Sequence, residues 1–270
     1  MSEADKVFEG TIPDVYDDYL VPLIFETYAV DLARRVASLE PKTVLETAAG
    51  SGVVTRALAP LLFDDARYAV TDLNQPMLDR ASRRQPADPR IEWRQADALD
   101  LPFQAETFDV ICCQFGVMFF PDKVAGYRSA IQALRDGGKF IFNVWDRIEE
   151  NAFADSVTRT ATSVFPDDPP LFLARTPHGY HDVALIEAEL DAAGFKHCEV
   201  HTLASESRAE NPRVPAVAYC QGTPLRNELE ARDPAKIDDV TNLAAADLEQ
   251  RFGSGPLSGK IQGHVIIATK

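Results

Sequence analysis

The stretch from Thr43 to Asp72, TVLETAAGSGVVTRALAPLLFDDARYAVTD, limits the fold of this chain more than any other. A β-branched run, Thr43-Val44-Leu45, ends in Glu46 and meets six small residues, Thr47 to Gly52. Val53, Val54, Ala57, Leu58, Leu61 and Leu62 then recur at helical spacing, so the pattern predicts a strand, a tight turn and a helix over Val53 to Leu62. The apolar positions would lay one helix face on a sheet. A second strand, Tyr68 to Thr71, ends in Asp72, about twenty residues beyond the glycines. Small turn residues let backbone approach a ligand without a Cβ collision, and an acid at the next strand tip can accept both hydroxyls of a ribose. The stretch reads as a nucleoside site on the carboxyl edge of a parallel sheet.

The remaining elements extend this unit. Asn74 to Arg84 is helical, with Asn74 suited to the N-cap and Pro76 to the first turn. Ile91 to Arg94 is a third strand, placing Asp97 and Ala98 on the same edge as Glu46 and Asp72 if the strands are parallel. Phe108 to Cys113 is a near-continuous apolar run, as expected of a central strand covered on both faces. The helix from Asp122 carries Val124, Tyr127, Ile131 and Leu134 on one side, with Gly137-Gly138 as its stop. Lys139 to Trp145 makes a fifth strand. Strands alternating with helices at this spacing imply right-handed crossovers and an α/β, doubly wound sheet.

Before this core, Ile12 to Leu39 reads as two helices interrupted by Pro13 and Pro22. Tyr16, Tyr19 and Phe25 there serve either as packing or as a lid over a ligand. After it, prolines gather between Asp146 and Tyr180, an insertion of helix and loop. His181 to Ala193 is helical and stops at Gly194, Phe195 to Thr202 is a sixth strand, helices follow Pro212 up to Phe252, and Lys260 to Thr269 is a seventh strand. We expect one domain: an N-terminal helical lid (1–40), a core (41–146), an insertion (147–180) and a C-terminal half (181–270).

The chain has 270 residues, 46% of them hydrophobic, enough for a large core without staples. Its net charge of -15 repels phosphate backbones and anionic membranes, which disfavours nucleic-acid binding. Four cysteines, two adjacent (Cys112, Cys113), fit neither a zinc spacing nor a secreted disulfide framework, and read as reduced, buried thiols. The acidic opening MSEADKVFEG and the lack of a membrane-length apolar run point to a cytoplasmic protein.

Four ordered blocks, VLETAAGSG, TDLNQPML, QADALDLPFQAETFDVICC and LRDGGKFIFNVW, resemble the class I S-adenosylmethionine-dependent methyltransferases, especially the quinone-biosynthesis and small-molecule branch. The resemblance covers roughly 41–146, and the sixth and seventh strands are similar to the family's closing pair, whose last strand is antiparallel. It implies a Rossmann-like, seven-stranded, mostly parallel sheet, S-adenosylmethionine as cofactor and S-adenosylhomocysteine as product. On this resemblance the backbone at Ala48 and Gly50 faces the carboxypropyl and ribose part, with Glu46 supporting the loop from below. Asp72 holds the ribose hydroxyls, Leu73 and Met77 pack on the adenine, and Asp97 and the Ala98 N–H address its edge. The Gln114 carbonyl meets the methionyl ammonium; Tyr19, in the lid alternative, is a further cofactor-binding candidate. Ala48 stands where the family usually has glycine.

Methyl transfer asks little of side chains, because the sulfonium carries its own leaving group and the enzyme must chiefly align the reacting atoms and exclude water. No catalytic residue is assigned. Phe115, Phe119, His178, Tyr180 and His181 are the candidates for lining an acceptor pocket, with Phe120 read as a core anchor. His197, His201 and His264 fall on strands and read as structural, as does Asp109 at a strand start. No metal site is expected. The partner is a small-molecule acceptor, with no nucleic acid and no membrane; the oligomeric state stays open, a homodimer included. The alternatives are a nicotinamide-dependent oxidoreductase, against which Thr55 stands in the third-glycine position, and a non-catalytic adenosyl-ligand-binding protein of the same fold.

Overall fold

The computed structural model describes residues 12–270. Their strands are β1 (Thr43–Glu46), β2 (Arg67–Asp72), β3 (Ile91–Gln95), β4 (Phe108–Gln114), β5 (Leu134–Trp145), β6 (His197–Ala209) and β7 (Leu257–Thr269). They form one sheet in the order β3-β2-β1-β4-β5-β7-β6. β1 pairs in parallel with β2 and β4, β2 with β3, and β4 with β5. Parallel pairing needs a crossover between strands, so the carboxyl ends of β1 to β5 share one edge. β7 runs the other way. The Lys270 N–H donates to the Gly138 carbonyl and the Asp146 N–H to the Gln262 carbonyl, so β7 numbers fall as β5 numbers rise.

The described residues pack into two compact units. One gathers 26–144, 181–203 and 264–270, and holds the whole of β1 to β4. On one face of its sheet, α2 (Glu26–Ala37), α3 (Val53–Leu58) and α4 (Gln75–Arg84) close over Leu32, Val36, Val44, Leu58, Val70 and Ile141. On the other, α5 (Lys123–Ala133) brings the Tyr127 ring 5.5 Å from Phe142, and Phe142 lies 4.8 Å from Phe140. Ile141 faces one layer while Phe140 and Phe142 face the other, the period of two that a strand covered on both sides requires.

The second unit gathers 12–25, 145–180 and 204–263 of the described residues. Its larger helices are α6 (Ala152–Val164), α9 (Arg213–Gln221) and α11 (Ile237–Phe252). The Phe153 ring meets Phe252 edge to face at 5.2 Å. Arg175 pairs with Glu228 at 2.8 Å and Arg232 with Asp168 at 3.0 Å, tying α7 (Phe172–Arg175) and the proline-rich loop to α10 (Leu225–Arg232).

Several element bounds differ from the sequence pattern, each for a local reason. Regular helix after the glycine turn stops at Leu58, and Ala59–Leu61 tighten into a 3-10 turn around Pro60, leaving Leu61 exposed and Leu62 buried. The two helices expected before the sheet are α1 (Ile12–Val15) and α2, joined without a break by a π-type segment, Tyr16–Phe25, whose wide turn contains Pro22. α5 ends at Ala133, and Gly137-Gly138 lie inside β5 instead of stopping the helix. Asn74 sits at the N-cap of α4 without a side-chain bond to it; its own N–H donates to Asp72. α8 (Val183–Ala193) starts after Asp182 and ends at Gly194 as expected.

The turn after β4 closes tightly on the turn after β1. A Cβ at Gly116 would stand 2.6 Å from the Ala48 Cβ and 2.6 Å from the Cys113 Sγ. Gly116→Ala should therefore cost roughly 2 to 3 kcal/mol by overpacking, measured as the urea unfolding free energy. An unchanged value would mean that the two turns separate freely.

Candidate functional site

The glycine turn is stapled to the tip of β2. The Thr47 N–H donates to the Cys112 carbonyl and the Ala49 N–H to the Thr71 carbonyl. Ala48 and Gly50 both adopt left-handed backbone, at φ 51° and 56°. The Gly50 N–H then donates to Asp72 Oδ2 at 2.8 Å, while Asp72 Oδ1 accepts from the Asn74 N–H at 2.8 Å. Asp72 is only 6% exposed. Burial pushes its carboxyl above the ordinary value, and the Asn74 and Gly50 N–H groups oppose that by favouring the anion. A carboxylate oxygen carries two lone pairs, so each keeps acceptor capacity beyond its backbone bond.

The surroundings of this clasp suit an adenosine. A Cβ built on Gly50 would stand 3.8 Å from the Met77 methyl, so the turn passes close to that side chain. Leu73 beside Asp72 is 47% exposed, an apolar flank at the strand tip. Asp97 follows β3 and is exposed; one of its oxygens accepts from the Leu99 N–H at 2.9 Å, which bends the chain past the half-buried Ala98. Glu46, Ala48, Gly50, Asp72, Leu73, Met77, Asp97, Ala98 and Gln114 thus come to one edge of one unit.

The Glu46 side chain is buried at the end of β1, just before the turn. Its Oε2 accepts from the Thr55 hydroxyl at 2.7 Å and from the Tyr68 hydroxyl, joining β1, α3 and β2 inside the core. Thr55, in the third-glycine position, uses its hydroxyl for this bond. The Tyr68 and Thr55 roles escaped the sequence reading, although an acid ending an apolar strand signals a need for donors.

β4 ends in a second strained turn. Phe115 has φ 49°, its N–H donates to the Asn143 carbonyl, and its ring meets Tyr28 edge to face at 5.1 Å. Phe115 is buried and Phe119 half-buried; the Phe120 ring lies against Gly126 of α5, as a core anchor would. The Lys123 ammonium ties the following 3-10 turn by donating to the Met118 and Phe120 carbonyls.

Tyr19, on the π-type segment, is 39% exposed. His178 is buried in the second unit, where its Nδ1 meets the Asp146 carbonyl at 2.9 Å and its ring lies 5.9 Å from Trp145. Since a carbonyl only accepts, Nδ1 carries a proton. Tyr180 is buried in the same unit, and His181 is half-buried in the other. His197 and His201 flank Glu199 at exposed positions of β6, and His264 meets the Thr202 hydroxyl at 3.0 Å. Asp109 accepts from the Lys42 and Thr43 N–H groups and pairs with Arg135 at the strand start, away from the site edge. Burial keeps Cys112 and Cys113 as neutral thiols, Cys113 pushed up to about 12.

Burial pushes Glu46 from 4.5 to about 7, outweighing the Tyr68 and Thr55 hydroxyls and Arg56, which favour the anion. The folded protein binds this proton more tightly than the unfolded chain does. The stability this adds is full below the unfolded value of 4.5 and is lost as pH rises through about 7. Between about pH 5 and about pH 7.5 the protein should lose roughly 2 to 3 kcal/mol relative to Glu46→Gln, read from urea unfolding. Parallel pH profiles would show that Glu46 titrates normally.

Comparison with known proteins agrees with this geometry. Residues 44–138 match the family described as methyltransferase domain. A demethylmenaquinone methyltransferase of Clavibacter sepedonicus is 31% identical over 116 residues, 43% of this chain and 46% of that protein, so the chain matches less than half of that relative. A ubiquinone/menaquinone biosynthesis C-methyltransferase of Teredinibacter turnerae is 25% identical over 173 residues, 59% of this chain and 69% of that protein. Among solved structures, phosphoethanolamine N-methyltransferase 2 of Haemonchus contortus, in complex with S-adenosyl-L-methionine, superposes with a TM-score of 0.60 at 15% identity, over 100% of this chain and 60% of that one. At that identity the likeness is one of fold. Through its matched domain, residues 44–138, and its four ordered motifs, the chain is similar to the S-adenosylmethionine-dependent methyltransferases.

Proposed function

We propose that the chain transfers the methyl group of S-adenosylmethionine to a small-molecule acceptor by in-line displacement. The observation that carries this reading is the clasp of the Gly50 N–H on Asp72, which presents a bare backbone turn beside a buried strand-tip acid. When bound, the cofactor supplies a sulfonium whose methyl group has a good leaving group behind it. The turn at Ala48 and Gly50 holds the amino-acid part, Asp72 the ribose hydroxyls, Leu73 and Met77 the adenine faces, and Asp97 with the Ala98 N–H its edge. Gln114 offers its carbonyl to the ammonium, and Glu46 acts indirectly by fixing β1 against α3 and β2.

Phe115 and Phe119 follow β4, next to the methionyl end, and suit a planar or lipophilic acceptor. Aromatic faces there also favour a sulfonium by cation–π attraction. Two of the relatives named above are by name a demethylmenaquinone methyltransferase and a ubiquinone/menaquinone biosynthesis C-methyltransferase, which agrees with such walls. A net charge of -15 gives no general attraction for nucleic acid, and among the described residues no helix is long and apolar enough to cross a membrane.

Calorimetry with S-adenosylhomocysteine and transfer of labelled methyl to a panel of phenols, amines and enolisable carbonyl compounds test the reading. Binding with turnover of one class is expected; a folded protein without affinity for the product would overturn it. Asp72→Ala should weaken product binding roughly 5- to 150-fold, the scale of losing one or two charge-assisted hydrogen bonds. Unchanged affinity in a variant that melts cooperatively would remove Asp72 from the site.

A further inference from the structure

We infer that Asn143 binds the methyl acceptor, its side-chain amide pairing with a hydroxyl or carbonyl oxygen of the molecule to be methylated. The inference rests on the methyl-transfer reading above and adds to it a residue and an acceptor feature. Asn143 lies near the carboxyl end of β5, in register with Gln114 of β4. Its backbone carbonyl receives the N–H of the strained Phe115. Its side chain is 0% exposed, and neither the Oδ1 nor the Nδ2 atom has a hydrogen-bond partner among the described residues.

This is not how the protein treats its other buried asparagine near the end of β5. Asn151, 1% exposed, donates through Nδ2 toward the Asp146, Arg147 and Gln262 carbonyls and accepts the Gln262 N–H on Oδ1. An unmatched buried amide is costly, and such a group in a native protein calls for a specific reason, a functional role among them. The position of Asn143 says which partner. Ile141, two residues earlier on the same strand face, packs in the cluster that contains Leu32 of α2. One step toward the carboxyl edge, Asn143 replaces an apolar residue; one helical turn earlier on α2, Tyr28 takes the place of Leu32. The Tyr28 ring contacts Phe115 and its hydroxyl donates to the Leu203 carbonyl at 3.0 Å. The amide therefore lies on the strand face turned to α2, near the ends of β4 and β5 and the ring pair of Tyr28 and Phe115.

An amide both donates and accepts. Nδ2 can hold a carbonyl or phenolate oxygen, and Oδ1 can accept from a hydroxyl, so the chemistry selects an aromatic or enolic acceptor with an oxygen substituent. An ether in place of that hydroxyl would leave Oδ1 unmatched, so the free hydroxyl is what Asn143 distinguishes.

The test compares the wild-type protein with Asn143→Leu, a near-isosteric change, using 1,4-dihydroxynaphthalene under reducing conditions and 1,4-dimethoxynaphthalene as probes, each with S-adenosylhomocysteine present. Without ligand, the variant should melt roughly 2 to 5 °C higher, because an unmatched amide has been removed from the interior. The wild type should bind the dihydroxy probe about tenfold more tightly than the dimethoxy one, and the variant should lose that preference while binding the product unchanged. Methyl transfer to the dihydroxy probe should fall with it. If the variant melts lower than wild type, the amide is already satisfied inside the fold and the inference fails. It fails equally if the wild type takes up neither probe, or if the variant keeps the preference. Should leucine overfill the site and prevent folding, Asn143→Ala carries the same binding comparison. A wild type with no affinity for the product instead overturns the methyl-transfer reading, and is told apart by that titration alone.

Discussion

The bond from the Gly50 N–H to the Asp72 carboxylate is the interaction on which the site depends. It fastens a turn with little side-chain mass to a strand that the chain reaches only after a helix. The neighbouring bond from Ala49 to the Thr71 carbonyl fixes the same turn from its other side. Two such bonds overdetermine the left-handed conformation of Ala48, which would otherwise cost of order 1 kcal/mol or more and relax. A turn held this way keeps its backbone in place whether or not a ligand is present, which is what preorganisation requires.

Strain and polarity are arranged around that clasp in a consistent way. The two non-glycine residues in left-handed backbone at the carboxyl edge, Ala48 and Phe115, belong to the two turns that meet at Gly116. Each is stabilised by a backbone bond to a neighbouring strand. Deeper in the sheet, Glu46 is matched by two hydroxyls and excluded from water, so its role is to hold three elements together. Asn143 is the contrast: equally buried, equally polar, and unmatched. The unmatched amide at the strand end is the observation from which a contact with the acceptor is inferred.

The later segments follow a different logic. The residues of the second unit are mostly helical and joined by ion pairs such as Arg175 with Glu228, and they include the buried His178 and Tyr180. Local sequence in this region, rich in proline, carries little periodicity.

The order of strands and helices, the parallel core and the placing of Ala48, Gly50, Asp72 and Asp97 on one edge were readable from the amino acids alone. Apolar periodicity and turn chemistry are properties of a few consecutive residues, and an alternating strand and helix pattern leaves few topologies open. The helix ends at Leu58 and Ala133 were misread because Pro60 acts locally where a longer apolar pattern continues, and because the strand claims Leu134 before the glycines are reached. Only the tertiary structure decided that Glu46 would be locked by Tyr68 and Thr55, that Phe115 would turn left-handed over Asn143, and that the Asn143 amide would be left without a partner. Those outcomes depend on which residues meet across neighbouring strands and helices, often more than twenty positions apart, and no window of sequence contains both sides of such a contact.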